Sequence, residues 1–570
     1  MLLSIACGKI SAARGGKRIN IHMKKFTGLF LLLFSALNSF AQYTHQDTLR
    51  GSITPERAWW DVTYYNLFVA PDYATKTISG SNRITYKITG QPAGTAMQID
   101  LQEPMQIDSI LYGKERTALN YTRNGNVFLV SFPSGYPNGK TLDSIDIFYS
   151  GKPREAVNPP WDGGWIWKKD AKGRPWMSVA CQGLGASVWY PCKDHQSEEP
   201  DNGASLTISI PDSLSAIGNG VLKGKRSMGN GVSEWSWAVS NPINSYNIIP
   251  YIGAYVNWDE TYAGLKGDLH CSYWVLDYNL DKSKMQFGRD VKAMLKCFES
   301  WFGPYPFYED SYKLVESPHL GMEHQSAVAY GNQYKNGYLG MDLSGSGWGR
   351  NWDYIIVHES GHEWFANNIT TRDMADMWVH EGFTTYSEVL FVECQYGEKA
   401  ADEYCQGLRR GIQNDKPVIG PYGVNKEGSG DMYSKGANMI HTIREIMNDD
   451  ELFKSILQGL NRDFYHKVVD SKEVEAYISK KSGKDVSAVF NQYLRSTRIP
   501  VFEYKIEGTK LAYRWTDCNK GFNMPLKVFV KGKEIWIKPG EEWQSTKIKE
   551  LSEKDFSVDK NFYIHVNKSN

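Results

Sequence analysis

The 570-residue chain lacks a net charge: 64 lysines and arginines balance 64 aspartates and glutamates. A neutral balance gives no long-range pull toward nucleic acid, anionic membrane or acidic tails, so those partners are excluded as first expectations. The chain also lacks a repeat of solenoid period and any low-complexity tract, which excludes stacked-repeat architectures. It lacks CxxC spacing, which argues against a zinc ribbon or a thioredoxin-type motif.

Long apolar runs are scarce as well. The one that stands out lies in "MKKFTGLFLLLFSALNSFAQ", where Lys24 and Lys25 precede the run Phe26–Leu37 and Ser39-Phe40-Ala41 offers a small-x-small cleavage site. It reads as an export signal, too short for a bilayer span of about 20 residues. The expectations are a natural start at Met23, Gln42 as the first mature residue, a periplasmic or extracellular location, and no transmembrane span after cleavage. Beyond this leader seven cysteines remain, Cys181, Cys192, Cys271, Cys297, Cys394, Cys405 and Cys518. An odd number at irregular spacing is no disulfide framework, although some can pair in an oxidising compartment.

What is present fits a multidomain α+β protein, with 41% hydrophobic residues, 13% aromatics and 52 glycines. After the leader and signal (1–41), residues 42–276 read as a β domain of alternating, aromatic-rich runs such as "DVTYYNLFV" and "SLTISIP". Its odd insert, "NPPWDGGWIWKKDAKGRPW", suggests a protruding hairpin or loop with its tryptophans packed on the sheet below. From 277 to 498 the period becomes helical, beginning with "DKSKMQFGRDVKAMLKCFESWFG" and recurring over 353–367, 378–394, 435–447, 450–458, 472–480 and 486–495. Residues 499–570 revert to short strands and read as a small β-sandwich.

The chemistry concentrates in "HESGHEWFANN". His358 and His362 stand four apart on an expected helix and so share a face from which both rings can reach one ion. Glu359 lies about 100° around the helix, placed to act on a water rather than to ligate. By composition such a pattern arises by chance roughly 0.03 times in this chain. A catalytic zinc needs a third protein ligand and an open position, and Glu381, nineteen residues after His362, supplies the carboxylate. Its neighbour His380 points to another helix face.

These motifs resemble the zinc aminopeptidases of the aminopeptidase N and leukotriene hydrolase type, the gluzincins with HExxH, eighteen residues and glutamate. This chain reads HESGH, eighteen residues, then "WVHEGF", with Trp364 and Asn367 also at family positions. The resemblance implies an N-terminal β saddle, a thermolysin-like, mainly helical catalytic domain and a C-terminal β-sandwich, without the long helical C-terminal domain of larger relatives. A more open site, or one covered by a second subunit in a homodimer, is compatible with that. One zinc per chain is implied, held by His358, His362 and Glu381, with Glu359 as general base. The family's glycine-x-methionine-glutamate-asparagine motif falls on "LGMEHQS", making Gly321, Met322, Glu323 and His324 substrate-binding positions. Leu320 and His324 replace the family's first glycine and its asparagine. Glu323 is implied to bind the free α-ammonium, with Gln182 beside it, and Tyr433 in "MYSKGANMI" to donate to the oxyanion. Glu388 and Asn367 are implied to support the zinc site from behind.

The function so implied is hydrolysis of the first residue from peptides with a free N-terminus, through a zinc-activated water. The alternatives are a thermolysin-like endopeptidase, which has no use for Glu323, and a non-catalytic peptide-binding relative. Nothing in the sequence argues for the epoxide hydrolase activity of one family branch.

Overall fold

The computed structural model describes residues 43–90, 96–137 and 139–569, and Gln46–Asn570 form one compact unit. The expected leader and its cleavage site lie outside the described residues. Among these, no helix is long and apolar enough to cross a membrane.

The first part is built on an eight-stranded sheet. Its strand Trp60–Asp72 pairs antiparallel with Thr77–Ile88 and parallel with Ala204–Pro211. A bulge between Val62 and Tyr64 resets the alternation, so that Val62, Tyr65, Leu67 and Val69 all face the core. This is how an imperfect period of two still yields one buried face. The tryptophan-rich insert is part of a four-stranded sheet, with Gly164–Lys169 pairing with Pro175–Ala180. Trp165 and Trp167 are buried in it, at 0% and 6% exposure, whereas Trp161 stands out at 64%.

A five-stranded sheet crosses the expected domain boundary at 276. Strand Gly267–Leu276 pairs antiparallel with Tyr255–Gly264 and parallel with Tyr312–Glu316. The two strands at 255–276 therefore belong structurally with the helical part. Their alternation is the same as that of the preceding strands, so periodicity alone did not separate them.

The helices follow the expected ranges closely. Leu280–Phe302 packs against Trp378–Tyr396, and a disulfide joins Cys297 to Cys394 across them. Cys181, Cys192, Cys271, Cys405 and Cys518 are free. The helix expected over 353–367 is shorter: Tyr354–Gly361 is α-helical, and the chain then kinks at Phe365 and Ala366 in a π-type turn. Asp353 caps its start, accepting from the amides of Ile355 and Ile356, which satisfies two otherwise unpaired N–H groups. A further helix, Glu398–Leu408, had not been expected. After it, Ser434–Met447 lies close against Trp378–Tyr396, because a Cβ at Gly436 would come within 2.9 Å of Gly382 Cα. Two glycines at this crossing bring the start of one helix to the Glu381 end of the other. Residues 501–568 form a four-stranded and a three-stranded sheet that share core residues such as Phe502, Trp515 and Val528.

Candidate active site

Helix Tyr354–Gly361 presents His358 and Glu359, His362 follows at its end, and helix Trp378–Tyr396 presents Glu381 in its first turn. Oε2 of Glu381 lies 3.7 Å from Nε2 of His358 and 3.3 Å from Nε2 of His362. One ligand atom from each of the three residues falls within 4.8 Å of the other two, and all three residues are buried. Glu381 Oε2 is buried and accepts no hydrogen bond. A buried carboxylate oxygen without a donor is costly unless a cation completes it. The residues present therefore fit a zinc ion, with two imidazoles and one carboxylate as donors.

The rings are held from behind. His358 Nδ1 is 2.7 Å from Glu388 Oε1, and Tyr404 donates its hydroxyl to Glu388 Oε2 at 2.7 Å. His362 Nδ1 is 3.1 Å from the carbonyl oxygen of Phe365, which the kink after the helix brings into place. Each Nδ1–H is thereby spoken for, leaving each Nε2 lone pair for a metal. His380 turns away, its Nε2 accepting from the Thr371 amide at 2.9 Å. Burial alone would raise the Glu381 carboxyl, but the facing His362 and His358 rings outweigh it and hold it below the ordinary carboxylate range. For His358 the order is reversed: burial lowers its pKa, and Glu381 and Glu388 together carry it above the usual histidine value.

These side chains line a cavity of about 450 Å³ together with Glu359, Gln182, Gly321, Met322, Glu323 and Tyr433. Burial pushes the Glu359 carboxyl up to about 7, against the two histidines. Gly321 makes room for it, since a Cβ there would sit 2.5 Å from Glu359 Oε1. Tyr433 stacks beside His358, ring centroids 6.0 Å apart. Burial and then the neighbouring Glu381 carry its hydroxyl well above the ordinary value, so it keeps its proton.

Glu323 is 2% exposed and lines the cavity, one of its carboxylate oxygens lying within 4.8 Å of ligand atoms of Glu359 and His362. Its Oε1 accepts from Gln182 Nε2 at 2.5 Å and from the Tyr246 hydroxyl at 2.8 Å. Asn367 acts on this group and not on the metal donors: its Nδ2 donates to the Glu323 carbonyl at 2.8 Å, while its Oδ1 accepts from Asn247. His324 does not reach the cavity. It is fully buried, with Nδ1 2.5 Å from the Tyr251 hydroxyl. Tyr246, Asn247 and Tyr404 were not singled out in the sequence. No local pattern marks them, because each meets its partner only through the tertiary fold.

Residues 288–493 match the model of the peptidase family M1 domain. Leukotriene A-4 hydrolase of Xenopus laevis is 22% identical over 75% of this chain and 68% of its own length. Aminopeptidase N of Lactococcus lactis subsp. lactis is 21% identical over 78% of this chain and 52% of its own. The chain spans only about half the length of most curated relatives that it matches. An M1 zinc metallopeptidase from Deinococcus radiodurans shares the fold, with a TM-score of 0.65 at 19% identity over 77% of this chain and 94% of that one. The HExxH and glutamate donors converge inside the part of the chain that matches the peptidase family M1 domain.

Proposed function

We propose that this protein is a zinc aminopeptidase that removes the first residue of peptides bearing a free α-amine. One observation carries the reading: a single cavity holds the three metal donors, the unengaged carboxylate of Glu359, and a second buried carboxylate, Glu323. An endopeptidase would leave Glu323 without a task.

Zinc, when bound at His358, His362 and Glu381, supplies Lewis acidity that lowers the pKa of water to about 7 and polarises a carbonyl. Glu359, whose carboxyl is raised to about 7, accepts a proton from the attacking water and returns it to the leaving amine. Tyr433 donates its retained proton in a hydrogen bond to the oxygen that gains charge at the scissile carbonyl. Glu323 pairs with the substrate α-ammonium, its carboxylate aimed by Gln182 and Tyr246. This pairing fixes register, because removing one partner of a desolvated charge pair costs about 2–5 kcal/mol. Loss of turnover of a peptide amide on chelation, with recovery on adding zinc, tests the reading. Full turnover by the metal-free chain would overturn it.

The export signal read at 23–41 forms part of the same proposal, and the Cys297–Cys394 disulfide suits an oxidising compartment. Mass analysis of the secreted chain should find Gln42 at its start; an intact leader would refute export by this signal.

A further inference from the structure

We propose that Trp161 is the specificity platform for the side chain of the first substrate residue, selecting peptides that begin with an aromatic residue. The inference rests on the aminopeptidase reading above. Trp161 is 64% exposed and lines the cavity with Pro160, in contrast to the buried Trp165 and Trp167 of the same segment. An aromatic ring that is exposed and also part of a cavity lining offers a face on which a substrate ring can stack.

The turn that carries it is built to hold it there. The amides of Trp161 and Asp162 both donate to the Asn158 carbonyl, at 3.1 and 3.4 Å. The Asp162 carboxylate accepts from the Val157 amide at 2.6 Å. Gly163 follows at φ 66°, a conformation that favours glycine, and it lies against the next loop: a Cβ there would be 3.0 Å from Leu184 Cδ1 and 3.3 Å from the Ala180 carbonyl.

That neighbouring loop includes Gln182, which touches Glu323. The Trp161 turn is therefore packed on the amine-binding end of the cavity. The first residue's side chain leaves the same carbon that bears the amine, so it is the group nearest this end. Met322, Tyr338, Tyr354 and Ile355 also line the cavity beside its carboxylates and offer apolar surface against which an aromatic ring can pack. Glu427 is the one lining carboxylate to which no role is assigned above, and it defines the competing cationic outcome.

The test is kcat/KM of the zinc-loaded protein for dipeptide amides with phenylalanine, alanine or arginine first and alanine second, and for alanine first with phenylalanine second. The wild type should favour phenylalanine over alanine in first place. Trp161→Ala should lose about 10-fold on the phenylalanine-first substrate and change the alanine-first, alanine-second one by less than about 2-fold. Trp161→Phe should keep most of the preference. An equal loss on every substrate, no loss at all, or a loss confined to phenylalanine in second place would overturn the assignment. So would an arginine preference lost in both Trp161→Ala and Glu427→Gln. A wild type that cleaves none of the four would instead sink the aminopeptidase reading beneath it.

Discussion

Glu388 Oε1 lies 2.7 Å from Nδ1 of His358, and so fixes which face of that imidazole is left for a metal. Two turns separate Glu388 from Glu381 on one helix, so a single element supplies both a metal donor and the support of another. Such a partner sets ring orientation and basicity, and losing it typically costs 10–100-fold in affinity. Glu388→Ala should weaken zinc binding by about that factor in a chelator competition, with turnover regained at high zinc. Unchanged affinity would mean that the contact is only structural.

Glu359 lines the cavity without being one of the three residues around Glu381 Oε2. Glu359→Gln should retain about one zinc per chain while turnover falls by about 10²–10⁴-fold, as expected on removing a general base. Metal analysis beside single-turnover rates decides it. Activity close to wild type would remove Glu359 from the proton transfer.

On the proposed reading Tyr433 offers its proton where charge develops, so its effect belongs to the rate and not to ground-state binding. Tyr433→Phe should lower kcat by about 10²–10³-fold with KM within about 3-fold. A raised KM at constant kcat would assign the tyrosine to substrate binding instead.

Asp353 gives a pH dependence of stability. Burial pushes its carboxyl from 3.8 up to about 6, although Tyr330, Gln286 and Asn332 donate to it. A folded pKa above the unfolded one favours the protonated form in the fold. The associated stability is full below about pH 4 and is lost as pH rises through about 6, some 2–3 kcal/mol in order of magnitude. Denaturant midpoints for Asp353→Asn, which keeps a capping oxygen, should vary less than wild type between these pH values. A parallel pair of curves would contradict the assignment.

Legibility in the sequence followed the range of the interaction. His358, Glu359 and His362 are set by one helical turn, and Glu381 by a fixed chain length, so all four were readable before any fold. Glu388 and Glu323 came through family motifs; the first lies against His358 Nδ1 and the second lines the cavity. The sequence places His324 among the substrate contacts because it follows Glu323, yet its ring is buried against Tyr251, a partner brought in by the tertiary fold. Asn367 was placed behind the zinc, but the kink at Ala366 swings it toward Glu323. Tyr246 reaches Glu323 across 77 residues, a distance at which no periodicity speaks. The helix Glu398–Leu408 was legible and missed, for its buried residues Ala400, Ala401, Tyr404, Cys405 and Leu408 recur at helical spacing.

The central claim is that Glu323 makes this zinc site an aminopeptidase. Matched peptide amides with free and acetylated N-termini, assayed with wild type and Glu323→Ala, test it most directly. The account predicts that wild type cleaves only the free-amine set and that Glu323→Ala loses that preference, by about 30-fold or more on the free-amine peptides. Equal cleavage of both sets by wild type, unchanged in Glu323→Ala, would contradict it and leave an endopeptidase.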